Sequence, residues 1–141
     1  MKFLLEIITP QRKVFSQEVD SLAVPTSRGT IGVLAHHAAL FSSLTEGEIK
    51  IASGDKEYFL AIGGGFMEVG NKSVEILVSR AHHADELNEA EIKRAREAAQ
   101  DAISKGIKGE ELSVAQAVLR RSLIEMKVLQ RRRHRASTLP S

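Results

Sequence analysis

Histidine is the residue type in this chain best suited to metal binding or proton transfer. The chain has five histidines, and four fall in two adjacent pairs: His36-His37, inside the apolar run Gly32-Val-Leu-Ala-His-His-Ala-Ala-Leu40, and His82-His83. Imidazole commonly ligates zinc, copper and nickel and commonly acts as a general base. There is no cysteine, which removes disulfides, thiolate nucleophiles and cysteine-based zinc sites. Adjacent side chains on a strand point to opposite faces, so neither pair chelates one ion by itself. A metal site would need a histidine from each pair and a distant carboxylate, and nothing in the sequence requires that convergence. No metal is expected.

Other chemistry is equally unsupported. A G-x-S-x-G elbow is missing, and no Ser, His and Asp set is singled out by context. Glu46, Glu48 and Glu68 read as solvated acids on alternating strands. Gly63-Gly64-Gly65 could suggest a phosphate cradle, but such loops open a helix. Here the glycines lie between two strand-like runs, so a bend or bulge with close backbone approach is expected. The expectation is a protein without catalytic residues.

Two kinds of element must position these residues. Over the first half, short apolar or alternating runs at 3–9, 19–24, 30–34, 38–44, 48–53, 56–62, 66–69 and 74–78 are broken by turn residues. Ser53-Gly54-Asp55-Lys56 and Val69-Gly70-Asn71-Lys72 have the composition of hairpin turns. About eight to ten strands with short links imply an all-β antiparallel sandwich over residues 1–84. After Ala84 the period changes. Asn88 can cap a helix that begins at Glu89, with Glu91 answering it as in a capping box and Leu87 stapled to Ile92. Ile92, Ala95, Ala99, Ala102 and Ile103 form one stripe, and Lys105-Gly106 closes the helix with a basic last turn. A second helix carries Leu112, Ala115, Leu119, Leu123, Met126 and Leu129. Residues 85–141 should therefore form an antiparallel helical hairpin with a short loose basic tail, the helices joined by about four to six residues. A contact made mainly by alanines buries little area, so this hairpin could undock.

Composition fits a soluble globular chain, with 43% hydrophobic and 27% charged residues. No run reaches the ~18 to 20 apolar residues of a membrane span, and an early acid argues against a signal peptide. The charge is uneven: residues 1–84 carry 8 basic and 9 acidic side chains, residues 85–111 carry 5 and 8, and residues 112–141 carry 7 and 1. Arg120, Arg121, Lys127, Arg131, Arg132, Arg133 and Arg135 thus surround one amphipathic helix and suit an acidic or anionic partner surface. The lack of free aromatic platforms argues against nucleic acid.

Val24-Pro25, the run Gly29-Thr-Ile-Gly-Val-Leu-Ala-His-His-Ala-Ala-Leu40, Gly47 and Gly64-Gly65-Phe66-Met67-Glu68-Val69 together resemble the epsilon subunit family of F-type ATP synthases. The resemblance implies a central-stalk rotor subunit, peripheral on the cytoplasmic face of the inner membrane and attached only through its complex. Its sandwich would meet the gamma subunit and the c-ring through Thr30, His36, His37 and Leu40. Its hairpin would inhibit ATP hydrolysis when Arg120, Arg121, Lys127, Arg131, Arg132 and Arg133 reach an acidic loop of the catalytic β subunit. The chain departs from the family pattern at Thr30, where an acid is frequent, and at Ala35, His36 and Ala39, which replace Pro, Gly and Pro. Some members bind ATP where the first helix starts, through an Asp and an Arg; here Asn88 and Glu91 stand at those positions, so no cofactor is expected. The alternative from another class is a free-standing adaptor that binds nucleic acid or anionic membrane through its basic helix.

Overall fold

The computed structural model describes residues 1–138, with side chains through Arg131, and the chain divides into two compact units after His83. The first unit is a sandwich of two five-stranded sheets. One sheet holds, in spatial order, β2 (Lys13–Val19), β1 (Phe3–Ile8), β9 (Ser73–Val78), β8 (Gly65–Val69) and β5 (Leu40–Leu44). The other holds β10 (Ala81–His83), β7 (Lys56–Ile62), β6 (Gly47–Ser53), β3 (Ser21–Thr26) and β4 (Gly29–Leu34).

Alternation builds the core. Along β9 exposed and buried residues alternate strictly, sending Val74, Ile76 and Val78 inward to meet Leu5, Ile7, Ile49, Leu60 and Met67. Each such side chain contributes about 1.5–3 kcal/mol when fully buried. Every buried member of this cluster lies between Phe3 and Ala81, so the sandwich supplies its own core.

The expected sandwich is present, with differences in detail. Residues 19–24 do not form one strand: Val19 ends β2 and Ser21 begins β3, with the chain turning at Asp20 between sheets. The run at 38–44 is strand only from Leu40, because 35–39 turn. All pairings are antiparallel except β1 with β9, which run parallel from Leu4 opposite Ser73 to Ile8 opposite Leu77. No tight turn joins those two strands, so none imposes a direction on them. Gly54, at φ 63, opens the two-residue turn between Ser53 and Lys56 as expected.

The second unit opens with a 3₁₀ turn (Ala84–Glu86) and continues as α1 (Glu89–Ser104) and α2 (Gly109–Thr138). Asn88 is extended and its side-chain oxygen accepts the Glu91 N–H at 3.1 Å, so α1 starts where its cap places it. Leu87 packs with Ile92, Met126 and Leu129. Lys105 is the C-cap residue itself, not part of a basic last turn, and Gly106 follows at φ 83. Within α1 only Ile92 and Ala99 are buried, so the contact between the helices is as thin as the alanine stripe implies.

Candidate functional site

From Gly29 to Thr45 the sequence has no Asp, Glu, Lys or Arg. The fold gathers this stretch into two edge strands, β4 and β5, one in each sheet, joined by the turn at 35–39. Thr30 is exposed on β4. The turn is closed by the His37 N–H donating to the Leu34 carbonyl at 3.2 Å, which puts His36 third in the turn at φ 64. It is the one non-glycine residue among those described with a positive φ, at a turn position that favours glycine or asparagine. The His36 Nε2 lies 2.7 Å from Met1 Sδ, and His37 Nδ1 lies 2.8 Å from the Ala38 carbonyl oxygen. The two rings are thus separated by a turn, not by strand alternation.

Leu40 is half-buried and packs on the core, whereas its neighbour Phe41 points outward at 67% exposure. Phe66 and Leu77, at 51% and 50%, share that outer face. Register explains the grouping: Leu77 is opposite Phe66 and also opposite Ile8. Phe41 lies diagonal to Phe66, with ring centroids 5.5 Å apart and planes at 27°. Offset aromatic pairs of this kind add about 0.5–1.5 kcal/mol beyond area burial, yet here the pair faces solvent. These residues were not among the sequence candidates. The signal was present in Phe66-Met67-Glu68-Val69, where alternation puts Phe66 on the same face as a charged residue.

The glycine run crosses between sheets rather than cradling an anion. The Gly63 N–H donates to the Arg80 carbonyl at 2.9 Å, the Ser79 N–H to the Gly64 carbonyl at 3.1 Å, and a Cβ on Gly65 would collide with the Leu77 carbonyl oxygen. The Arg80 guanidinium pairs with the Glu46 carboxylate at the same crossing. In the second histidine pair, His83 Nε2 donates to the Val14 carbonyl at 3.0 Å and ties β10 to β2. Among the described residues no three His, Asp or Glu side chains gather to hold a metal.

On α2, Arg120, Arg121, Lys127 and Arg131 are all exposed. Arg120, Lys127 and Arg131 follow one stripe at seven- and four-residue intervals, while Arg121 lies to one side and pairs with Glu125. The side chains of Arg132 and Arg133 lie outside the described residues. Two surfaces therefore stand out, an aromatic flank on the sandwich and a cationic stripe on α2. Neither holds a set of groups for bond making.

The family described as ATP synthase, Delta/Epsilon chain, beta-sandwich domain matches residues 2–84. An ATP synthase epsilon chain of Dehalococcoides mccartyi (strain CBDB1) is 37% identical over 133 residues, covering 94% of this chain and 95% of that one. The corresponding chain of Herpetosiphon aurantiacus is 37% identical over 135 residues, covering 96% and 99%. In shape the chain is similar to one in the Euglena gracilis mitochondrial ATP synthase, with a TM-score of 0.67 at 23% identity over 92% of this chain and 78% of that one.

Proposed function

The chain belongs to the delta/epsilon family of ATP synthase subunits, and on that premise we propose that it works as a non-catalytic part of the synthase's central stalk. It joins a gamma subunit to the c-ring, so that ion-driven rotation of the ring reaches the catalytic head. The observation that carries this reading is the solvent-facing stack of Phe41 on Phe66 beside Leu77. Large apolar side chains grouped on an otherwise polar face mark a surface meant to be covered. The neighbouring turn with His36 and His37, and Thr30 on β4, lie in a stretch without Asp, Glu, Lys or Arg and suit contact with polar loops of the c-ring by shape and hydrogen bonding rather than by salt bridges. The free-standing adaptor has no support from the relatives.

The helical hairpin is the regulatory arm in this reading. Its first helix is held by few buried side chains, which suits an element that leaves its place at low cost, and its second helix offers Arg120, Arg121, Lys127 and Arg131 to an acidic loop of the β subunit. A ligand or potential moves such an element only by stabilising one position over another. ATP is a poor candidate for that ligand: the Asn88 side chain is engaged in capping, and Glu91 would repel phosphate. Isothermal titration should show weak or no ATP binding, and micromolar affinity would refute this. Among the described residues no helix is long and apolar enough to cross a membrane. Attachment to the cytoplasmic face of the inner membrane then comes through the complex.

Co-purification tests the proposal. A tagged chain should bring down a gamma subunit, and a folded Phe41→Ser, Phe66→Ser double variant should fail to. If neither protein brings gamma down, or both do equally, the reading fails.

A further inference from the structure

The outer face of the β2-β1-β9-β8-β5 sheet is ordered in rows. In one row Ile8, Leu77 and Phe66 lie opposite one another on three adjacent strands. In the next row, two residues along each strand, lie Glu6, Glu75 and Glu68, and Phe41 ends that row opposite Glu68. Adjacent strands are about 4.8 Å apart, so three glutamates are rooted in line at that interval. Like charges directly opposite destabilise a sheet, and such a row would ordinarily be interleaved with cations.

Only one end of the row is compensated. Glu6 pairs with Lys13 at 2.6 Å and accepts a hydrogen bond from Ser16. Glu68 and Glu75 are exposed, and among the described residues neither has a hydrogen-bond or ion-pair partner. The uncompensated carboxylates therefore border the same apolar row that the proposed function assigns to a partner. Two copies of this chain stacked patch to patch would bring acid rows close together, which disfavours self-association through the aromatic stack.

Resting on the reading above, we infer that Glu68 and Glu75 make this sheet face selective for a partner surface that sets at least two Lys or Arg side chains beside an apolar ridge, and that the gamma subunit presents such a surface. The stacked rings supply contact area and the two carboxylates supply discrimination. Charge at the border of an interface acts mainly on encounter rate, salt dependence and rejection of wrong partners. The pair would be satisfied on assembly, so the repulsion carried by the free chain is relieved in the complex.

The test measures binding of the full-length chain to the purified gamma subunit of the same synthase at about 0.05 M and about 0.5 M salt. The wild type should bind, and should lose affinity as salt rises. A Glu68→Gln, Glu75→Gln variant should bind about tenfold more weakly at low salt, chiefly through a slower association rate, and should respond little to salt. Sedimentation of both proteins alone reports folding and self-association. If the wild type binds but the variant matches it in affinity and salt response, the inference falls while the central-stalk reading stands. If the wild type does not bind gamma, both fall. If the wild type alone dimerises and Phe66→Ser abolishes the dimer, the occupant is a second copy and the inference is overturned.

Discussion

His36 holds a left-handed backbone that costs a residue with a β-carbon about 1–2 kcal/mol. Glycine would escape that cost but lose more freedom on folding. His36→Gly is therefore expected to stabilise the chain by about 0.5–1 kcal/mol, read as a higher urea midpoint with an unchanged slope. An unchanged or lower midpoint would mean that the contact of His36 with Met1 offsets the strain. Gly65→Ala should act in the opposite sense, because its Cβ would meet the backbone oxygen of Leu77 and not a side chain that can swing away. A loss of about 1–3 kcal/mol or more is expected in the same assay. Both sites are partly legible in the sequence: three glycines between strands announce a close approach, and a histidine in a glycine position of the family pattern announces a special φ. The aromatic flank is harder to read, since residue type draws phenylalanine toward the core while the parity of Phe66 with Glu68 sends it out. Parity is the better guide there, because strand geometry leaves a side chain only two faces.

At the scale of elements, local signals were the readable ones. The start of α1 depends on residues within one turn of each other, and the Asn88 cap forms as its sequence implies. Replacing Asn88 by Ala should cost about 1 kcal/mol, seen as faster amide exchange across the first turn of α1 with the sandwich unaffected. Strand β2 was illegible because Ser16, Gln17 and Glu18 are exposed in succession, which breaks the alternation a strand needs to be recognised. Its place is fixed from a distance instead, by pairing with β1 and by the bond from His83 to the Val14 carbonyl. Strand β10 is three residues long, too short to show any period. That bond predicts a specific effect: in His83→Ala the part-buried Val14 carbonyl loses its side-chain donor, at a cost of about 0.5–1.5 kcal/mol. Amides of β10 should then lose exchange protection while those of β6, in the middle of its sheet, keep theirs. Uniform loss across the sheet would show instead that His83 supports the whole sandwich.

For the whole molecule, the decisive property is that one unit owns a large core and the other a small one. The sandwich cluster draws its buried residues from Phe3 to Ala81 alone. The separate cluster of the second unit contains Ile92, Met126 and Leu129, with Leu87 beside them. The buried apolar side chains described in the second unit are few and three of them are alanines, too small a core to offset by itself the conformational entropy of ordering two helices, which is about 1–2 kcal/mol per residue for the backbone alone. Truncation after Ala84 should therefore leave a folded sandwich with cooperative thermal unfolding, whereas residues 85–141 alone should show little helix by circular dichroism. In the assembled synthase the same truncation should spare assembly and ATP synthesis, because the aromatic flank and the acid row remain, and should raise ATP hydrolysis by removing the cationic arm. Replacing Arg120, Lys127 and Arg131 together by Gln should reproduce most of that rise without truncation, since these three share one stripe of α2. If the truncated chain fails to assemble, the hairpin is part of the docking structure and not a regulatory arm. If the triple variant leaves hydrolysis unchanged while truncation raises it, the brake works through apolar packing of the helix and not through its charge.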